Sequence, residues 1–218
     1  MAKIYKTLLQ EGRGEFSVSR SRFIGWAKPV SAEKDALTFI EKISKSHRDA
    51  NHNVWAYVLG TAKERYSDDG EPQGTAGLPV LDLIRKEELR DLVVVVTRYF
   101  GGVKLGTGGL VRAYTQSAKI ALDAGKIIER RPYLSFDIET EYALADKFQR
   151  EFDRRGYRLK NKVYLEKVLL TVLVPPEESE AIEKLTAEFT AGTGSLIVGL
   201  EEYLNFLQGA YCDQKAVE

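Results

Sequence analysis

The hydrophobic pattern is clearest in the last third of the chain. Leu134, Phe136 and Ile138 alternate with Ser135, Asp137 and Glu139, a period of two that predicts a strand. Leu144, Phe148 and Phe152 follow at a spacing of four, one face of a helix that Gly156 ends. Tyr157, Leu159, Val163 and Leu165 alternate again, and Val168 to Val174 is a β-branched apolar run. Pro175-Pro176-Glu177-Glu178 opens a second helix, with proline in its first turn and acids at its positive end. Ile182, Leu185 and Phe189 form its buried stripe, Gly192 stops it, and Leu196-Ile197-Val198 begins a last strand. The order β-α-β-β-α-β predicts a ferredoxin-like split βαβ domain over residues 132–205, followed by a tail, 206–218.

Residues 1–131 form a second domain with a different order of elements. Glu15 to Lys28 predicts one or two strands. Ser31 is expected to cap a helix to Lys45, with Leu37, Ile40 and Ile43 inward. From Asn53 to Leu59, Val54, Ala56 and Val58 share one strand face, and Trp55 and Tyr57 the other. Tyr66 to Pro72 is rich in turn residues, and Thr75 is expected to begin a short helix. Val93-Val94-Val95-Val96 is apolar on both faces, which predicts a central strand over Asp91–Phe100. The longest helix is expected from Thr107 to Ala124, burying Leu110, Tyr114, Ala118 and Ala121, with Gly125 at its C-cap. The fold class is therefore α+β.

Composition removes several functions. The 218 residues carry 32 basic and 32 acidic side chains, one cysteine and two histidines. Paired-cysteine chemistry is excluded. No apolar run approaches the roughly 20 residues of a membrane span. The start has no apolar secretory segment, so a cytoplasmic protein is expected. Zero net charge hides an asymmetry: residues 1–131 hold 22 basic and 16 acidic residues, and 132–218 hold 10 and 16. No acid occurs between Asp91 and Asp123, an interval that carries Arg98, Lys104, Arg112 and Lys119. A basic first domain is suited to a polyanion.

The chemistry-bearing segment joins the central strand to the longest helix. Gly101, Gly102, Gly106, Gly108 and Gly109 make up five of its nine residues. Glycine lets a ligand touch the main chain, and the free N–H groups of the next helix attract anions. Thr107 is expected to cap that helix, while Arg98, Lys104 and Arg112 add charge. A phosphate or carboxylate site follows, though a glycine-rich turn needed only for close strand–helix contact gives the same pattern. The segment is neither a P-loop, which needs lysine where Thr107 stands, nor a dinucleotide fingerprint, where Val111 replaces the third small residue. Asp68, Asp69 and Glu71 offer oxygen ligands, but turns commonly have this composition. His47 and His52 have no third ligand partner, so no metal site is expected. No nucleophile motif is visible and no catalytic residue is assigned.

Three strings in order carry a resemblance. They are His52-Asn53-Val54-Trp55-Ala56-Tyr57, Ser67 through Gly77, and Thr97 through Tyr114. Together with Ser21-Arg22-Phe23-Ile24 they resemble the IMPACT family. The rest of the chain is similar to the small C-terminal domain of bacterial members of the YigZ/YvyE type. The resemblance implies a first domain like the second domain of ribosomal protein S5. The same two folds stand side by side near the end of translocation elongation factor G, an analogy that points to the ribosome or RNA. Eukaryotic relatives regulate translation initiation through a partner of a starvation-sensing kinase.

The expected function is thus a translation-associated regulatory or binding protein. RNA or the ribosome would meet Arg98, Lys104, Arg112 and the glycine loop, with Arg22 and His52 as accessory residues. Trp55, Tyr57 or Tyr99 would stack on bases if exposed, while each fits a place in the core equally well. One alternative is a kinase-like enzyme on a phosphorylated small molecule, with Lys104 on phosphate and Asp68 or Asp69 on magnesium or acting as base. Another is a protein adaptor using the acidic second domain. No cofactor is implied.

Overall fold

The computed structural model describes residues 3–212. They form two compact units, one of residues 5–130 with 205–212, the other of residues 3–4 with 131–204.

In the larger unit the elements are β1 (Tyr5–Leu8), β2 (Gly12–Val18), β3 (Ser21–Pro29), α1 (Glu33–Ser46), β4 (His52–Leu59), β5 (Lys63–Ser67), α2 (Gly77–Lys86), β6 (Leu92–Tyr99) and α3 (Gly106–Ala124). An antiparallel five-stranded sheet has the order β2-β3-β6-β4-β5, so β6 is central, as its apolar run predicts. Val94 and Val96 face a core shared with α2 and α3, while Val93 and Val95 face a second core under α1. All four valines are fully buried. Burying one such side chain contributes about 1.5–3 kcal/mol, so the strand anchors both layers.

Local details differ from the sequence expectations. Ala32, not Ser31, is the N-cap of α1, and no side chain caps it. Ala36 and Phe39 turn inward with Ile43, while Leu37 is 48 % exposed. Helix α2 starts at Gly77, because Thr75 closes the preceding turn by donating to the Pro72 carbonyl. Gly125 is the C-cap of α3 but stays right-handed, and Lys126 takes the positive φ of 57°.

The smaller unit holds β7 (Ile127–Thr140) from Arg131 on, α4 (Tyr142–Arg155), β8 (Arg158–Tyr164), β9 (Val168–Val174), a 3₁₀ turn at Pro176–Glu178, α5 (Ser179–Phe189) and β10 (Ser195–Leu207) up to Leu204. The strand order is β10-β7-β9-β8, the arrangement of a split βαβ sheet. Phe136, Ile138, Phe148, Phe152, Ile182 and Leu185 lie in its core. Leu165 falls outside that pattern and is exposed, beyond the last paired residue of β8, whose register slips between Leu159 and Asn161. Residues 206–212, expected as tail, complete β10 and fold back as β11 (Ala210–Cys212). Gln208 and Gly209, at φ 51° and 83°, close that hairpin as a two-residue turn requires. The remainder of the expected tail, 213–218, lies outside the described residues.

On the α1 face, Tyr57 donates its hydroxyl to Glu33 Oε1 at 2.6 Å, and Glu33 also pairs with Lys63. Burial, reinforced by the Glu33 carboxylate, pushes the Tyr57 hydroxyl up to about 12. The folded value exceeds the unfolded one near 10, so this stabilisation is complete below pH 10 and is lost as pH rises towards about 12. Urea midpoints measured across that window should fall less steeply with pH in Tyr57→Phe than in the natural chain. Equal slopes would reject the assignment.

Candidate functional site

Strand β6 alternates, so Arg98 points to the same side as Val94 and Val96, towards α2 and α3. Its register neighbours are Phe23 on β3 and His52 on β4. A guanidinium placed there is only 5 % exposed and needs an acid. Glu71 supplies it: Arg98 Nη1 donates to Glu71 Oε1 at 2.5 Å, and the Tyr114 hydroxyl of α3 donates to the same oxygen at 2.7 Å. Burial and the adjacent carboxylate hold the Tyr114 hydroxyl far above the usual tyrosine range, so it remains a donor. His52 Nε2 lies 3.8 Å from that oxygen. His52 Nδ1 sits 2.7 Å from the Asp69 carbonyl, which can only accept, so Nδ1 carries the proton.

Above this group opens a cavity of about 430 Å³. Its lining includes His52, Glu71, Arg98, Phe100, Lys104 and Thr107. Each of the three sequence strings therefore reaches one space. Strand β4 delivers His52, the turn before α2 delivers Glu71, and the bend after β6 delivers the rest.

The bend itself is part structural and part open. The Phe100 amide donates to Asn51 Oδ1 and the Gly101 amide to Ser21 Oγ. A Cβ at Gly101 would lie 2.0 Å from the Arg20 carbonyl carbon, so that glycine serves close approach. Gly102 and Gly106 have φ of 83° and 71° and shape the turn. Gly108 and Gly109 fall in the first turn of α3. Among the described residues, no group accepts a hydrogen bond from the amides of residues 102–108. Thr107 does not cap α3: the N-cap is Leu105, and no side chain bonds there, because the helix begins one residue earlier than expected.

The expected cations separate. Lys104 is exposed on the cavity rim, and Arg112 is exposed one turn into α3. Neither forms an ion pair among the described residues. Arg98, by contrast, is not a free phosphate ligand, since its charge is committed to Glu71. Arg22 is bound through two nitrogens to Glu15 and is not among the cavity-lining residues. Tyr57 is buried, and Trp55 stacks on it with rings 5.7 Å apart, on the α1 face of the sheet. Tyr99 is tied to His47 and Asp49. None of these three aromatics lines the cavity; Phe100 does, at 44 % exposure.

The acidic loop is structural. Asp68 accepts from the amides of Gly74, Ala76 and Gly77 at 2.9, 3.1 and 2.8 Å, fixing the start of α2. Asp69 Oδ2 accepts from the Asn53 amide at 2.5 Å. These bonds occupy both oxygens of Asp68 and one of Asp69, the two acids that the kinase-like alternative assigns to magnesium or to a base. Among the described residues, no group of three metal-ligating side chains is present. Tyr114 and Phe100 were missed as site residues. The alternation of β6 was the available signal: an arginine on the apolar face demands buried partners.

Comparison with known proteins follows the same segments. The Impact N-terminal domain matches residues 19–122, and a domain of unknown function, DUF1949, matches residues 138–193. IMPACT family member YvyE of Bacillus subtilis (strain 168) is 38 % identical over 206 residues, 94 % of this chain and 95 % of that protein. IMPACT family member YigZ of Escherichia coli (strain K12) is 31 % identical over 184 residues, 83 % of this chain and 90 % of the other. Protein IMPACT of Bos taurus is 35 % identical over 92 residues, 40 % and 29 % of the two chains. A crystal structure of a hypothetical protein matches with a TM-score of 0.59 and 28 % identity, covering 90 % of this chain and 98 % of that one.

Removing one partner of a buried ion pair leaves the other charge uncompensated, so Arg98→Ala should destabilise by about 3–5 kcal/mol. Tyr114→Phe removes one hydrogen bond to a charged group and should cost about 1.5–3 kcal/mol. Urea denaturation measures both. A loss in Arg98→Ala no larger than that in Tyr114→Phe would contradict the network.

Proposed function

The chain belongs to the IMPACT family, and from that premise we propose that it is a translation-associated binding protein that contacts RNA or the ribosome through the bend between β6 and α3. One observation carries this reading: the amides of residues 102–108 stand open beside unpaired Lys104, with unpaired Arg112 exposed further along α3, on the domain with the excess of basic residues. Open backbone donors and cations at a helix start suit phosphate oxygens. Such contacts fix position and carry no sequence information of their own.

The kinase-like alternative is weakened by the commitment of Asp68 and Asp69 to backbone amides. Asp68, which already accepts three N–H bonds, is a poor candidate for magnesium or a base, and Asp69 gives one oxygen to the Asn53 amide.

Binding of a single-stranded RNA, followed by fluorescence anisotropy over a range of salt, tests the reading. Lys104→Ala with Arg112→Ala should weaken binding and flatten the log–log salt slope by about 0.7 for each lost phosphate contact. Sedimentation with ribosomes should show the same salt sensitivity. An unchanged affinity and slope in the double variant would reject these residues as the contact.

A further inference from the structure

The floor of the cavity holds polar groups that a phosphate would not use. The Glu71 side chain is 4 % exposed, and the hydrogen bonds from Arg98 and Tyr114 both fall on Oε1. Among the described residues Oε2 has no donor, although Glu71 lines the cavity. His52 Nε2, deprotonated when the ring is neutral, is a second acceptor, 3.8 Å from Oε1 of the same carboxylate. Phe100 exposes its ring to the same space, with the Arg98 guanidinium 5.4 Å from the ring centre. Free amides and Lys104 complete the rim. Acceptors below, an aromatic face at the side and anion donors above are the three parts of a nucleotide site.

We infer that this cavity takes one unstacked nucleotide. Its phosphate sits on the amides of residues 102–108 and Lys104, its base lies on Phe100, and its Watson–Crick edge meets Glu71 Oε2 and His52 Nε2. Unpaired bases are read in this way, by stacking and by their Watson–Crick edge. Two adjacent acceptors select a base with two adjacent donors. Guanine alone presents N1–H beside an exocyclic amine, so guanine binds above adenine, cytosine and uracil. A volume of about 430 Å³ suits a small ligand of this size. The inference rests on the RNA reading for the source of the nucleotide, since a free mononucleotide has the same chemistry.

Calorimetry with the four nucleoside 5′-monophosphates and inorganic phosphate, together with competition against labelled single-stranded RNA, tests it on the full chain. The guanosine monophosphate should bind most tightly and displace RNA, and inorganic phosphate should be weakest. Phe100→Ala, at an exposed position, should keep its unfolding midpoint and lose about five- to hundredfold in affinity for both ligands. Glu71→Gln should abolish the preference for guanine if it folds, and Phe100→Ala decides the matter if it does not. RNA binding without mononucleotide binding, and unaffected by Phe100→Ala, overturns this inference and leaves the RNA reading standing. Guanosine monophosphate binding without RNA binding supports the pocket and overturns the RNA reading. Equal affinity for all four monophosphates and phosphate overturns the base contacts.

Discussion

The buried carboxylate of Glu71 holds one end of the larger unit together. One oxygen accepts from Arg98 on the central strand and from Tyr114 on the longest helix. The turn before α2, strand β6 and helix α3 are thereby joined at a point where no apolar side chain could do the same. A buried pair of this kind contributes little net stability over an apolar replacement, but it penalises every arrangement that separates the partners. Its effect is on position: it ties the end of β6 to α3 two turns in from the helix start.

Much of the fold was legible because it is written in period. The all-buried valines of β6 gave a central strand, and the alternation around Phe136 and Ile138 gave the first strand of the split βαβ unit. Terminal details were not legible, because backbone hydrogen bonding competes with side-chain capping there. Ser31 and Thr107 have the chemistry of caps, yet the helices begin beside them without using it. Likewise Gln208 and Gly209 look like loose tail until both are seen at positive φ, closing a hairpin.

The site was half legible. The glycines and Lys104 were found from composition, because backbone access and charge are local properties. The role of Arg98 was misjudged, because its partner lies 27 residues away and only the strand register brings the two together. The acids of the turn looked like candidate cation ligands for the same reason. Their actual duties, capping α2 and holding β4, depend on amides supplied by other segments. Trp55 and Tyr57 on β4 and Tyr99 on β6 carried the aromatic expectation, whereas Phe100, just past the end of β6, lines the cavity.

The two left-handed glycines at 102 and 106 have a consequence for substitution. A Cβ at either would meet nothing within 4 Å, so the positive φ alone resists a side chain there. At Gly101 the backbone of Arg20 itself stands in the way. An alanine at 102 or 106 would therefore strain the bend without crowding it, whereas one at 101 would force the end of β6 and the turn before β3 apart.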